Sequence, residues 1–149
     1  FSACFGAAFL TLHPTVYADL LQRKIEEHDC NVYLVNTGWV GGGYGVGERI
    51  SIKNTRNCIN AILSGSINNA EFKTDELFGF EVPVELDGVS KEICRPKEAW
   101  EDSKKYVRQA QRLANMFIDN YEKYKDPNFT DYSDYGPAYK TFFSEDLEN

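Results

Sequence analysis

The sequence predicts an α/β fold, and three observations predict it. A short apolar run, Val32-Tyr33-Leu34-Val35, is rich in β-branched and aromatic residues, the pattern of a buried strand. A loop with six glycines between Gly38 and Gly47 follows, and a helix opens near Asn54. Helical stripes stand on either side of this unit, at Pro14–His28 and from Pro96 onward. Strand, glycine loop and helix start together make the usual frame of a nucleotide site in α/β proteins. Two familiar phosphate motifs fail here. Gly42 and Gly47 have P-loop spacing, but Glu48 and Arg49 stand where Lys and Ser/Thr belong. The G-x-G-x-x-G fingerprint breaks at Val46 or at Glu48. The loop is expected to line a site rather than cradle a triphosphate, unless it is a plain surface loop.

Each element has a local reason. Residues 1–12 are apolar and small among aromatics, and read as loop or strand buried against something large. The chain opens on Phe1 rather than Met, which reads as a fragment whose N-terminal neighbour covers that surface. Proline suits the first turn of a helix. From Pro14, the residues Val16, Tyr17, Leu20, Leu21 and Ile25 form one helical stripe. Asp29, Cys30 and Asn31 turn the chain into the expected strand. Ile50-Ser51-Ile52 alternates and could add a short strand; Asn54 or Thr55 could cap the next helix. Ile59, Ile62 and Leu63 face that helix inward, and Gly65 fits a left-handed cap.

Residues 77–86 look extended, with Pro83 confining them to an edge, and Asp87-Gly88 signals a turn. A long amphipathic helix is expected from Pro96 to about Lys125, its stripe including Trp100, Val107, Leu113, Phe117 and Tyr121. Residues 127–149 lack periodicity and read as a tail, ordered only if it docks.

At 149 residues the chain fits one domain. The net charge of −7 lies wholly in residues 66–149, with eleven basic and eighteen acidic side chains, against five of each before them. Nucleic acid binding needs a basic surface, and none is visible. No apolar run approaches the roughly 20 residues of a membrane span, so no membrane partner is expected. The four cysteines are widely spaced, which favours reduced thiols in a cytoplasmic protein over a zinc site or disulfide framework. Only His13 and His28 are present, against a His-rich metal site. Asn128-Phe129-Thr130 matches the glycosylation pattern and reads as coincidence in that compartment.

Several blocks, in order, resemble one family: ATP-dependent phosphoenolpyruvate carboxykinase. They are Phe1-Ser2-Ala3-Cys4-Phe5-Gly6-Ala7-Ala8-Phe9-Leu10, Leu12-His13-Pro14-Thr15, Tyr33-Leu34-Val35-Asn36-Thr37-Gly38-Trp39, Arg49-Ile50-Ser51-Ile52-Lys53 with Thr55-Arg56, and Ile62-Leu63-Ser64-Gly65-Ser66. The likeness runs on through Phe117-Ile118-Asp119-Asn120-Tyr121, so it covers about residues 1–125. It implies a two-domain α/β enzyme that turns oxaloacetate and ATP into phosphoenolpyruvate, carbon dioxide and ADP in gluconeogenesis. Residues 1–126 would be the last portion of its C-terminal, mononucleotide-binding domain. The family uses Mg²⁺ with ATP and a second divalent ion, commonly Mn²⁺. Its members differ in oligomeric state, so a homo-oligomer is compatible with the resemblance.

The site residues it implies are Arg49, Ile50 and Thr55, on the adenine side of ATP. The chemistry agrees with that. A guanidinium plane stacks on a purine, a backbone group at Ile50 can read the base edge, and the Thr55 hydroxyl can donate or accept. The bland readings are a solvated loop charge for Arg49 and a helix cap for Thr55. The family's P-loop, its metal-binding Lys, His and Asp, and its oxaloacetate-gripping Arg and Tyr would all lie upstream of Phe1. This polypeptide would then be inactive alone and would depend on the remainder of the carboxykinase chain. Two departures stand out: the long loop 40–48, and Asn54 where Asp is common. A rival reading is a non-catalytic interaction module working through its acidic second half. A dinucleotide oxidoreductase fragment is disfavoured by the failed fingerprint.

Overall fold

The computed structural model describes residues 5–137 and mixes helices with two small antiparallel sheets. The predicted first helix forms as α1 (Pro14–His28), with Pro14 at its first position. His13 caps it, the ring nitrogen accepting from the Thr15 N–H. Asp29 closes it in the left-handed conformation.

The expected strand at residues 32–35 does not form. That segment has no ladder partner among the described residues, and a strand exists only as a pairing. The pairing falls instead on the rims of the glycine loop, where β1 (Trp39–Val40) meets β2 (Glu48–Arg49) antiparallel, Trp39 opposite Arg49. The Ile50 N–H extends the ladder to the Gly38 carbonyl at 2.9 Å. No strand adds at 50–52, because α2 (Ile52–Leu63) opens there, two residues before the expected start. Its cap is neither Asn54 nor Thr55. Ser51 holds extended backbone angles and its hydroxyl accepts from the Asn54 N–H at 3.1 Å. Gly65 sits at φ 74°, a conformation that disfavours any residue with a Cβ, and ends the helix as predicted.

The second sheet pairs β3 (Phe72–Thr74) with β4 (Glu81–Pro83), Phe72 opposite Pro83. A two-stranded ribbon is all edge, which is where Pro83 is tolerated. Lys91–Cys94 forms a short helix α3 before Pro96. The expected long helix from Pro96 is broken: Pro96–Ala99 makes a 3-10 turn, and only Ser103–Glu122 is the long helix α4. Trp100 and Asp102 both take extended angles, and the Asp102 carboxylate accepts from the N–H groups of Lys104 and Lys105 at 2.8 and 3.2 Å. Those two backbone hydrogen bonds hold the Asp102 carboxyl below the usual carboxylate range. A strong cap restarts the helix here, and the aromatic stripe carried no sign of the break.

One apolar cluster holds the middle of the chain. Ala61 of α2 packs with Ile67, Leu86 and Val89, and Tyr33, Cys58, Ile93 and Cys94 cover it. Burial pushes the Cys58 and Cys94 thiols up. Two side-chain links tie α2 to the far wall of that cluster. Asn54 Oδ1 accepts from the Ser90 N–H at 3.1 Å, and Asn57 Nδ2 donates to the Gly88 carbonyl at 2.6 Å. On α4 the buried contact is Ala114, 1% exposed, while Phe117 meets Phe78 edge-on at 6.4 Å.

The apolar N-terminal stretch is not buried by the described chain. Phe5 is fully exposed and Phe9 is 87% exposed, in and beside the 3-10 turn Ala7–Phe9. Residues 1–4 of that predicted block lie outside the described residues.

Candidate functional site

The glycine loop leads directly into the α2 start through Ile50 and Ser51, with backbone hydrogen bonds on both sides. Gly47 explains part of the glycine content: a Cβ there would collide with the carbonyl oxygens of Val40 and Gly42. The loop folds on itself, with the N–H groups of Val46 and Gly47 donating to the Gly43 carbonyl at 3.1 and 2.9 Å. Trp39 and Tyr44 meet edge to face at 5.3 Å across the turn. Gly41, Gly42, Gly45 and Gly47 serve the seven-residue loop 41–47 of this hairpin.

The three candidate residues follow in succession along this junction. Arg49 is the last residue of β2 and is exposed. Ile50 is half-buried, and its N–H is taken by Gly38. Thr55 is half-buried in the first turn of α2, its N–H donating to the Ser51 carbonyl at 3.0 Å. Since Ser51 is the cap, the capping role once open to Thr55 is already filled. Asn54 beside it is committed to Ser90, with Oδ1 accepting from the backbone N–H and Nδ2 lying 3.3 Å from the hydroxyl. An amide serves both contacts, which accounts for Asn at this position without reference to a ligand.

Two open concavities lie elsewhere. One runs along α4 past Arg108, Arg112, Asn115 and Asp119, and its Asn115 Oδ1 is buried without a hydrogen-bond partner. The other is lined by residues such as Asn31, Tyr33, Phe72 and Glu81. Neither includes Arg49, Ile50 or Thr55. Among the described residues no three His, Cys, Asp or Glu side chains come together as a metal site. No helix of the described residues is long and apolar enough to cross a membrane.

Sequence reasoning missed Ser51, the Asn54–Ser90 link and the anchoring of residues 129–132. A signal for the first was present: a serine directly before the helix, with the N–H that its hydroxyl accepts from three residues on. The other two join residues 36 and more than 100 positions apart, and no local pattern announces them.

The described residues are mixed helix and small antiparallel sheet, with a glycine-rich hairpin leading into a capped helix. The model of the phosphoenolpyruvate carboxykinase family, in its ATP form, matches residues 1–92. The chain is 56% identical over 138 residues to phosphoenolpyruvate carboxykinase (ATP) of Sulfurimonas denitrificans, covering 92% of this chain and 26% of that protein. It is 60% identical over 126 residues to the protein of the same description from Campylobacter lari, covering 85% and 24%. For that of Staphylococcus aureus strain Newman the identity is 54% over 124 residues, covering 83% and 23%. This chain belongs to the ATP-dependent phosphoenolpyruvate carboxykinase family. It spans about a quarter of the length of these curated relatives.

Proposed function

We propose that this chain is the part of an ATP-dependent phosphoenolpyruvate carboxykinase that supplies the adenine side of its ATP site. The complete enzyme converts oxaloacetate and ATP to phosphoenolpyruvate, carbon dioxide and ADP, as a step of gluconeogenesis in the cytoplasm. Residues 1–126 belong to its C-terminal nucleotide-binding domain. The P-loop, the Mg²⁺ and Mn²⁺ ligands and the oxaloacetate site are supplied by the remainder of the carboxykinase chain. Phosphoryl transfer depends on those groups to neutralise charge, so the 149-residue polypeptide is inactive alone.

The observation that carries this reading is the hairpin–helix junction of a family member. Three hydrogen bonds hold its backbone between Arg49 and Thr55: Ile50 N–H to Gly38, Asn54 N–H to the Ser51 hydroxyl, and Thr55 N–H to the Ser51 carbonyl. The roles follow from what each residue has left to offer. Arg49 is exposed and places a flat cation on the face of the purine. The Ile50 N–H is occupied, so its carbonyl is the group that accepts from the exocyclic amine. Thr55 contributes its hydroxyl.

In the complete enzyme, Arg49→Ala should raise the KM for ATP about tenfold or more, while the KM for oxaloacetate changes little. An unchanged ATP dependence would remove the adenine assignment. A measurable carboxykinase rate from the pure 149-residue chain would refute its inactivity.

A further inference from the structure

We propose that residues 126–135 are a strap that sets the position of α1 on the rest of the protein. After α4 the chain turns back at Asp126, whose carboxylate accepts from the Asn128 N–H at 2.9 Å. Phe129 then lies flat on the His13 ring, centroids 4.3 Å apart and planes within 6°. His13 is the residue that caps α1, so the strap reaches the start of that helix. One turn and a half further along α1, the Tyr132 hydroxyl donates to Asp19 at 2.6 Å and lies 3.2 Å from Gln22 Oε1. On the other side the strap is moored to α4. The Tyr132 N–H donates to the Tyr121 hydroxyl at 2.6 Å, and that hydroxyl donates to Asp131 at 3.3 Å.

These links matter because α1 is only partly buried: Val16, Tyr17 and Ile25 of its stripe are half-buried. Its one buried residue is Thr15, and Leu20 and Leu21 on its apolar stripe are exposed. Among the described residues, the long-range hydrogen bonds of α1 run to the strap: from Asp19 to Tyr132 and Thr130, and from Gln22 to Tyr132. Polar contacts at a surface open more readily than a packed core. The strap can therefore release α1 while the cluster around Ala61 stays folded. α1 leads through residues 29–38 into β1, so its release frees one root of the hairpin that carries Arg49. The inference stands whether or not Arg49 meets ATP.

The test is amide hydrogen exchange on the full-length protein and its Tyr132→Phe and Asp19→Asn variants. Peptides from Pro14–His28 should exchange about tenfold faster in both variants, the scale for losing a hydrogen bond to a charged group. Peptides from Ile52–Leu63 should stay within about twofold, since local opening leaves the core protected. Unchanged exchange in α1 in both variants would overturn the strap. So would an equal rise in α1 and α2, which would mean that Tyr132 and Asp19 support the whole fold and not one helix.

Discussion

α1 and α2 begin alike and are held differently. Both open on a local cap, at His13 and at Ser51, and both carry an apolar stripe. α2 turns Cys58, Ala61 and Ile62 onto a cluster that leaves Ile67 only 4% exposed, although Ile59 and Leu63 of its expected inward face stay exposed, and Asn54 and Asn57 fasten it to the opposite wall. α1 leaves Leu20 and Leu21 of its stripe exposed and half-buries the rest, and it is held through Asp19, Gln22 and His13. The difference shows that an amphipathic pattern specifies which face wants burial, and not what buries it. Non-directional apolar burial anchors one helix, and directional hydrogen bonds and a stacked ring anchor the other.

Truncating the cluster should hurt most. Ile67→Ala should cost about 2–4 kcal/mol, read as a lower denaturation midpoint with faster exchange in α2. A loss below about 1 kcal/mol would mean the cluster does not anchor α2. Asn54→Leu should cost about 1–3 kcal/mol, because it strands the Ser90 N–H without an acceptor. Its signature is lost protection at Ser90 with α1 unchanged. Ser51→Ala should cost about 1 kcal/mol, measured as a drop in Tm, with fraying at residues 52–55 resolved by exchange. A silent substitution there would mean that another group takes over the Asn54 N–H.

The smallest effect expected is the pH dependence of the α1 attachment. The Tyr132 hydroxyl, and then that of Thr130, hold the Asp19 carboxyl below its ordinary 3.8, with Arg23 acting in the same direction. A depressed carboxylate contributes stability above its unfolded value, and this is lost as pH falls through the folded one. Asp19 in turn pushes Tyr132 up to about 12, with smaller contributions from burial and from Tyr135 and Tyr121. A raised phenol contributes below its unfolded value near 10 and loses that contribution as pH rises through 12. The contribution of the Asp19–Tyr132 contact to α1 protection, corrected for intrinsic exchange, should therefore be flat between about pH 4 and 10 and fall on both sides. Tyr132→Phe should flatten the alkaline limb; an identical alkaline fall in that variant would separate it from Tyr132.

Much of the chain was legible residue by residue. The Pro14 start, the Gly65 stop and the Asp87-Gly88 turn depend on preferences of single residues, and each forms where it was read. The dependence of the tail on docking was also readable, and its first part is docked through Tyr132; residues 138–149 lie outside the described residues. The long helix from Pro96 was misread because its stripe continues across Trp100 and Asp102, where the backbone is extended. The strand at 32–35 was misread because its composition is that of a strand while its partner is not among the described residues. Of the candidate site, residue identity and order were legible, but the occupied Ile50 N–H and the commitment of Asn54 to Ser90 were not.

By itself, the sequence determined the family, the two well-capped helices and the turns, since caps, proline, glycine and periodicity act within a few residues of one another. Only the tertiary structure decided which apolar faces are covered, where strands pair and that the C-terminal segment grips α1. Those outcomes each need a second surface, and no stretch of chain encodes its partner's position.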